Sequence, residues 1–150
     1  MTRYETRLRW TGSTGLGWEH YGRTHTGTAP GAAQEVGLTT GESKGDPSLL
    51  NPELLLLMAA SSCQMLWFLD VASRARVDVV EYRDDAVALM PLDQEPVRIT
   101  EIELRPAIAV AGEVSEERVR KLVDTAHRHC FVANSLTAQM TISPTVEVRT

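Results

Sequence analysis

The segment from Asn51 to about Arg76 constrains this chain more than any other. Asn51 can accept a hydrogen bond from the free N–H groups at a helix start, Pro52 suits the first helical position, and Glu53 complements the positive end of the dipole. From Leu54 to Arg76 no glycine or proline interrupts the helix, and Ala, Leu and Met dominate its first half. Leu54, Leu55, Leu56, Leu57 and Met58 are apolar all round, which predicts a helix buried on nearly every side. At about 1.5 Å per residue it would run ~35 Å. A single domain of 150 residues struggles to cover such a helix, so a partner subunit is expected over part of it.

The rest of the chain bounds the function class. A 43% hydrophobic content in 150 residues fits one domain, residues 1–150, with a sizeable core. The net charge of -5 argues against a nucleic-acid partner, because phosphate binding needs a basic stripe. Thr2 to Arg9 is polar, with no secretory pattern, and the longest apolar run, Leu54 to Ala60, is too short to cross a bilayer. The expectation is a soluble cytoplasmic protein without a membrane partner.

Strands are predicted over Tyr4–Trp10, Trp18–His25 and Gln34–Thr39, with a loop from Thr40 to Leu50. After the long helix, Val77–Met90 and Val97–Ala111 read as two strands joined through the turn-rich Pro91–Pro96. Ser115 is a plausible N-cap, followed by Glu116 and Glu117 in the first turn of a second helix reaching about Phe131. Val119, Leu122, Val123 and Ala126 form its inward stripe, and Met140–Val148 closes the chain as a strand.

Two cysteines carry the chemistry. Cys63 sits inside the long helix after Ala59, Ala60, Ser61 and Ser62, and Cys130 ends the second helix. In a reducing compartment a purely structural disulfide is improbable, so the pair is either two inert buried thiols or a redox couple. Composition leaves both open.

Two segments decide between them by resemblance. Asn51-Pro52-Glu53-Leu54-Leu55, with Cys63 ten residues after Glu53, resembles the first signature of the OsmC/Ohr family. Ala126-His127-Arg128-His129-Cys130-Phe131-Val132-Ala133-Asn134-Ser135-Leu136 resembles the second, in which a cysteine near a helix end precedes an Asn-Ser pair. The loop Gly41–Leu50 lacks the usual glycine-rich run, which marks a divergent OsmC-like branch.

The resemblance implies an α+β fold with N-terminal antiparallel strands, a long central helix, further strands and a second helix, in an intertwined homodimer. It implies a thiol-dependent peroxidase reducing organic hydroperoxides, with Cys63 peroxidatic and Cys130 resolving. No metal or other cofactor is implied, and an external dithiol, a lipoylated or small-thiol reductant, would regenerate the enzyme. The attacking species must be a thiolate, whose ionisation burial opposes, so a cation must stand near it. In the family an arginine from the N-terminal strands, held by a glutamate, does this. Arg23 is the candidate, with Arg3, Arg7 and Arg9 as competitors, and Glu53 matches the glutamate. Ten helical residues, about 15 Å, separate Glu53 from Cys63, which predicts a site completed between two chains. Met65, Leu66 and Trp67 follow Cys63 and would line an apolar substrate pocket.

Two other readings compete. His127, His129 and Cys130 are a candidate metal cluster, although His127 and His129, two apart on a helix, point in different directions. The alternative at the level of function is a non-catalytic module of the same fold, holding a hydrophobic small molecule or partner at the dimer cleft.

Overall fold

A computed structural model describes residues 1–41 and 43–150, so that Glu42, within the predicted loop, lies outside the described residues. The chain divides into two compact units, Met1–Leu55 and Leu56–Thr150. The first unit carries an antiparallel sheet of β1 (Arg7–Arg9), β2 (His25–Thr28) and β3 (Val36–Leu38), in the order β1-β2-β3. An isolated bridge between Leu38 and Leu50, with the Thr39 N–H donating to the Leu50 carbonyl at 2.9 Å, closes the loop that leads into the helix.

The strand expected over Trp18–His25 is instead irregular, and only its last residue enters β2. Gly17 takes a left-handed φ of 88°, and side chains claim the backbone carbonyls that a sheet neighbour would need. Trp10 Nε1 donates to the Gly22 carbonyl at 2.8 Å, and Arg23 donates to those of Tyr21 and Trp18.

The long helix, α1, spans Pro52–Arg74. Asn51 Oδ1 accepts from the Leu54 N–H at 2.8 Å, as its position in the sequence predicts. The helix stops slightly before the expected Arg76 because Arg76 turns left-handed, with φ 56°. The Val77 N–H then reaches the Ala72 carbonyl and the Arg76 N–H the Ser73 carbonyl, a Schellman closure made with arginine where glycine is favoured.

Burial of α1 on nearly every side does not hold in the isolated chain. Only Ala60, Gln64, Phe68 and Ala72 are buried, because the core lies under one face. Leu54, Met58, Leu66 and Leu69 are exposed. By length and composition α1 is apolar enough to cross a membrane. Its buried face nevertheless packs Phe68 and Ala72 into one cluster with Val77, Ile108, Val110, Val119, Val123 and Ala126, so it is a core helix.

The three C-terminal strands predicted as continuous are each broken at the same level. They become β4 (Asp78–Asp84) and β5 (Val87–Leu89), β6 (Glu101–Leu104) and β7 (Pro106–Ala111), and β8 (Gln139–Ile142) and β9 (Thr145–Arg149). The sheets β4-β7-β9 and β5-β6-β8 repeat the same neighbour relations, antiparallel to one side and parallel to the other. Pro106 and Pro144 lack the N–H that a ladder needs. The Arg105 N–H turns to Asp84 Oδ1 at 2.6 Å, and Asp84 Oδ2 accepts from Ser61 Oγ of α1 at 2.5 Å. The break is thereby fastened to the helix two residues before Cys63.

The second helix, α2, spans Glu116–His129, and Ser115 caps it by accepting from the Arg118 N–H at 3.3 Å. Its buried residues Val119, Val123 and Ala126 face the core, with Leu122 at the margin. A short 3-10 turn, Ala133–Ser135, follows.

Candidate functional site

The second unit brings Cys63 and Cys130 together, both as free thiols. Cys63 stands in mid-α1 and is partly buried, whereas Cys130 is the C-cap of α2 and fully buried. The Asn-Ser pair after Cys130 explains this burial. Asn134 Nδ2 donates to the Arg128 carbonyl at 3.2 Å and Ser135 Oγ to that of Phe131 at 2.7 Å, which folds the chain back over the helix end. The Ala133 N–H points at Cys130 Sγ, 3.4 Å away.

The Cys130 thiol lies in hydrogen-bonding and electrostatic contact with Cys63. Burial pushes it up, the neighbouring Cys63 adds to the effect, and together they outweigh the backbone N–H groups to place it at about 11. Cys130 therefore keeps its proton at neutral pH.

An aromatic cluster joins the sequence neighbourhoods of the two cysteines. Trp67, one turn after Cys63, stacks on His129 with centroids 5.3 Å apart and meets the edge of Phe131 at 5.2 Å. These two residues flank Cys130 in sequence, and nothing in the α1 segment announces them as partners of Trp67. Met65 is partly buried, but Leu66 is 59% exposed on the outward face with Met58 and Leu69. Of the three predicted pocket residues, Trp67 meets the sequence neighbours of Cys130. His129 is engaged by Trp67, and among the described residues no group of three or more His, Cys, Asp or Glu side chains is placed to hold a metal.

In the first unit, Arg23 and Glu53 line one cleft of about 470 Å³ with Trp10, Tyr21 and His25. The Arg23 guanidinium lies 4.0 Å from the Tyr21 ring centroid and donates to the carbonyls of Tyr21 and Trp18 at 2.8 and 2.9 Å. No ion pair joins it to Glu53 among the described residues. Glu53 Oε2 is buried and without a hydrogen-bond partner. Arg3 pairs with Glu5, and Arg7 and Arg9 lie on the exposed β1.

Sequence reasoning missed one buried polar residue, Gln64, next to Cys63 in the chain. The signal was present: it is the sole polar member of the Ala60, Gln64, Phe68, Ala72 stripe at helical spacing.

Comparison with known proteins follows the same lines. An OsmC-like protein of unknown function from Vibrio cholerae superposes with a TM-score of 0.84 at 24% identity, covering 99% of this chain and 100% of its own. An organic hydroperoxide resistance protein from Elizabethkingia anophelis gives 0.73 at 19% identity, over 99% and 98% of the two chains. The organic hydroperoxide resistance protein OhrB of Bacillus subtilis gives 0.62 at 14%, over 97% and 98%. These likenesses establish the α+β fold. No curated protein matches by sequence. The profile of the OsmC-like protein family matches residues 45–145, from the loop before the Asn-Pro-Glu motif to the last strand, and the chain belongs to that family.

Proposed function

We propose that this chain is a cysteine-based peroxidase that reduces organic hydroperoxides to alcohols. The observation that carries the reading is the contact between the Cys63 and Cys130 thiols, with Cys130 held protonated. Relatives of the same fold named as organic hydroperoxide resistance proteins support the class.

In the proposed cycle the Cys63 thiolate attacks the distal peroxide oxygen. A sulfur–oxygen bond forms, the O–O bond breaks, and the alkoxide leaves as alcohol after taking a proton. Cys63 is then a sulfenic acid. Cys130 Sγ attacks that sulfur, the disulfide forms, and hydroxide leaves as water with the Cys130 proton. An external dithiol, a lipoylated or small-thiol reductant, returns both thiols. Arg23 and Glu53 are assigned the cation and carboxylate that a thiolate and a developing alkoxide require; their shared cleft supports the pairing. Trp67, with Met65 and Leu66 flanking it, is assigned to the apolar part of the substrate. The exposed apolar face of α1, with Met58, Leu66 and Leu69, supports a homodimer in which a second chain covers it.

The test is a thiol titration after one equivalent of cumene hydroperoxide or hydrogen peroxide. The expected result is rapid loss of two thiols per chain, faster with the organic peroxide. Cys130→Ser should stop at a dimedone-reactive sulfenic acid on Cys63. Retention of both thiols would refute the peroxidase and leave a binding module of the same fold.

A further inference from the structure

The inward stripe of α1 is Ala60, Gln64, Phe68 and Ala72, all fully buried. Three of these suit an apolar core. Gln64 does not: it adjoins Cys63, its Nε2 donates to the Val123 carbonyl of α2 at 3.1 Å, and its Oε1 is buried without a hydrogen-bond partner. Leaving such an acceptor unsatisfied is destabilising. An apolar side chain of the same length would avoid that cost, so stability alone does not account for a glutamine here.

The acceptor it grips is informative. Val123 and Cys130 are seven residues apart, about two helical turns, so both lie on the buried side of α2 with Val119 and Ala126. The Gln64 bond thus joins the α1 backbone one residue from Cys63 to the face of α2 that ends in Cys130. One turn beyond Cys63, Trp67 packs on His129 and Phe131, which flank Cys130. Two contacts made just after Cys63 on α1 thus reach α2 and the turn that follows it. The aromatic one is broad, whereas the amide–carbonyl one is directional.

We propose that Gln64 is a positioning residue for disulfide formation: its bond to the Val123 carbonyl sets the rotation of α1 against α2 and holds Cys63 Sγ facing Cys130 Sγ. Apolar packing is non-directional and tolerates rotation of the helix about its axis. A disulfide does not, since it needs Cβ atoms about 3.5–4.5 Å apart and a narrow range of dihedral angle. Gln64 takes no part in the bond changes and acts through helix placement. The biological use of this device rests on the peroxidase reading, but its test does not.

The experiment equilibrates wild type, Gln64→Met and Gln64→His in dithiothreitol redox buffers and counts free thiols, with urea unfolding measured in parallel. Methionine keeps the length without the donor, and histidine keeps an ε N–H. Gln64→Met should retain or raise the urea midpoint while its disulfide equilibrium constant falls at least tenfold, a rise in potential of about 30 mV for a two-electron couple. Gln64→His should recover most of the loss. If Gln64→Met proves less stable, the comparison is between the two variants: a tenfold gap supports the role, and equal constants overturn it. An unchanged constant in Gln64→Met also overturns it. No hydroperoxide enters this titration. Wild type that forms the disulfide in buffer yet ignores hydroperoxide would remove the peroxidase reading and leave the positioning role standing.

Discussion

Replacing Cys63 by alanine tests the division of labour between the two thiols. Alanine is the best helix former, and Cys63 is only partly buried, so α1 should persist. Cys130 is then the sole thiol in the chain. With its acid dissociation at about 11, roughly one molecule in ten thousand carries a Cys130 thiolate at pH 7, against about 1% for an ordinary thiol near 9. The substitution removes the contribution of Cys63 but leaves burial, the largest cause, in place. Alkylation of Cys130 by iodoacetamide at pH 7 should therefore be at least ~10-fold slower than that of a solution thiol. The rate should still be rising at pH 9.5. One equivalent of cumene hydroperoxide should leave the thiol intact. Alkylation at the rate of a free cysteine, half-maximal near pH 9, would refute the assignment of Cys130 as the protonated partner.

Two further outcomes follow from the structure. The folded chain holds Cys130 above its ordinary value of about 9, so the unfolded chain ionises first as pH rises. The resulting stabilisation is complete below pH 9 and disappears between about 9 and 11, an effect of about 3 kcal/mol that urea unfolding of wild type against Cys130→Ala would read. Tyr82, raised chiefly by burial and then by Asp84, acts in the same sense at still higher pH in both proteins. Arg76→Gly, at the left-handed end of α1, should raise stability by about 1 kcal/mol because glycine adopts that backbone without strain; a lower melting temperature would show that the Arg76 side chain contributes more than its backbone strain costs.

Local signals were legible because they act over one helical turn or one motif. Asn51 and Ser115 cap the helices that their positions predict, since capping needs only an acceptor within reach of an N–H three residues on. The Asn134-Ser135 pair could be recognised as part of a motif, and its work is equally local, satisfying carbonyls at the end of α2. The continuous strands failed at Asp84, Arg105 and Pro144. Each side of those breaks alternates well enough by itself; at Asp84 and Arg105 the interruption comes with an aspartate capturing a backbone N–H on another strand, and at Pro144 with a residue that has no N–H to give.

The sequence by itself determined the helices, their caps, the two-cysteine inventory and membership of a family, because periodicity, capping and motif spacing are properties of neighbours along the chain. Only the tertiary structure decided which groups meet. It set Cys63 against Cys130, placed His129 and Phe131 on Trp67, and turned the Arg23 guanidinium onto Tyr21 and the Trp18 carbonyl. It also assigned Gln64, an unremarked polar residue in a long apolar run, to a carbonyl on α2 seven residues before Cys130. The reason is physical: contacts across 59 residues depend on how two helices lie against a shared core, and many sequences with the same periodicity would pack them in another register.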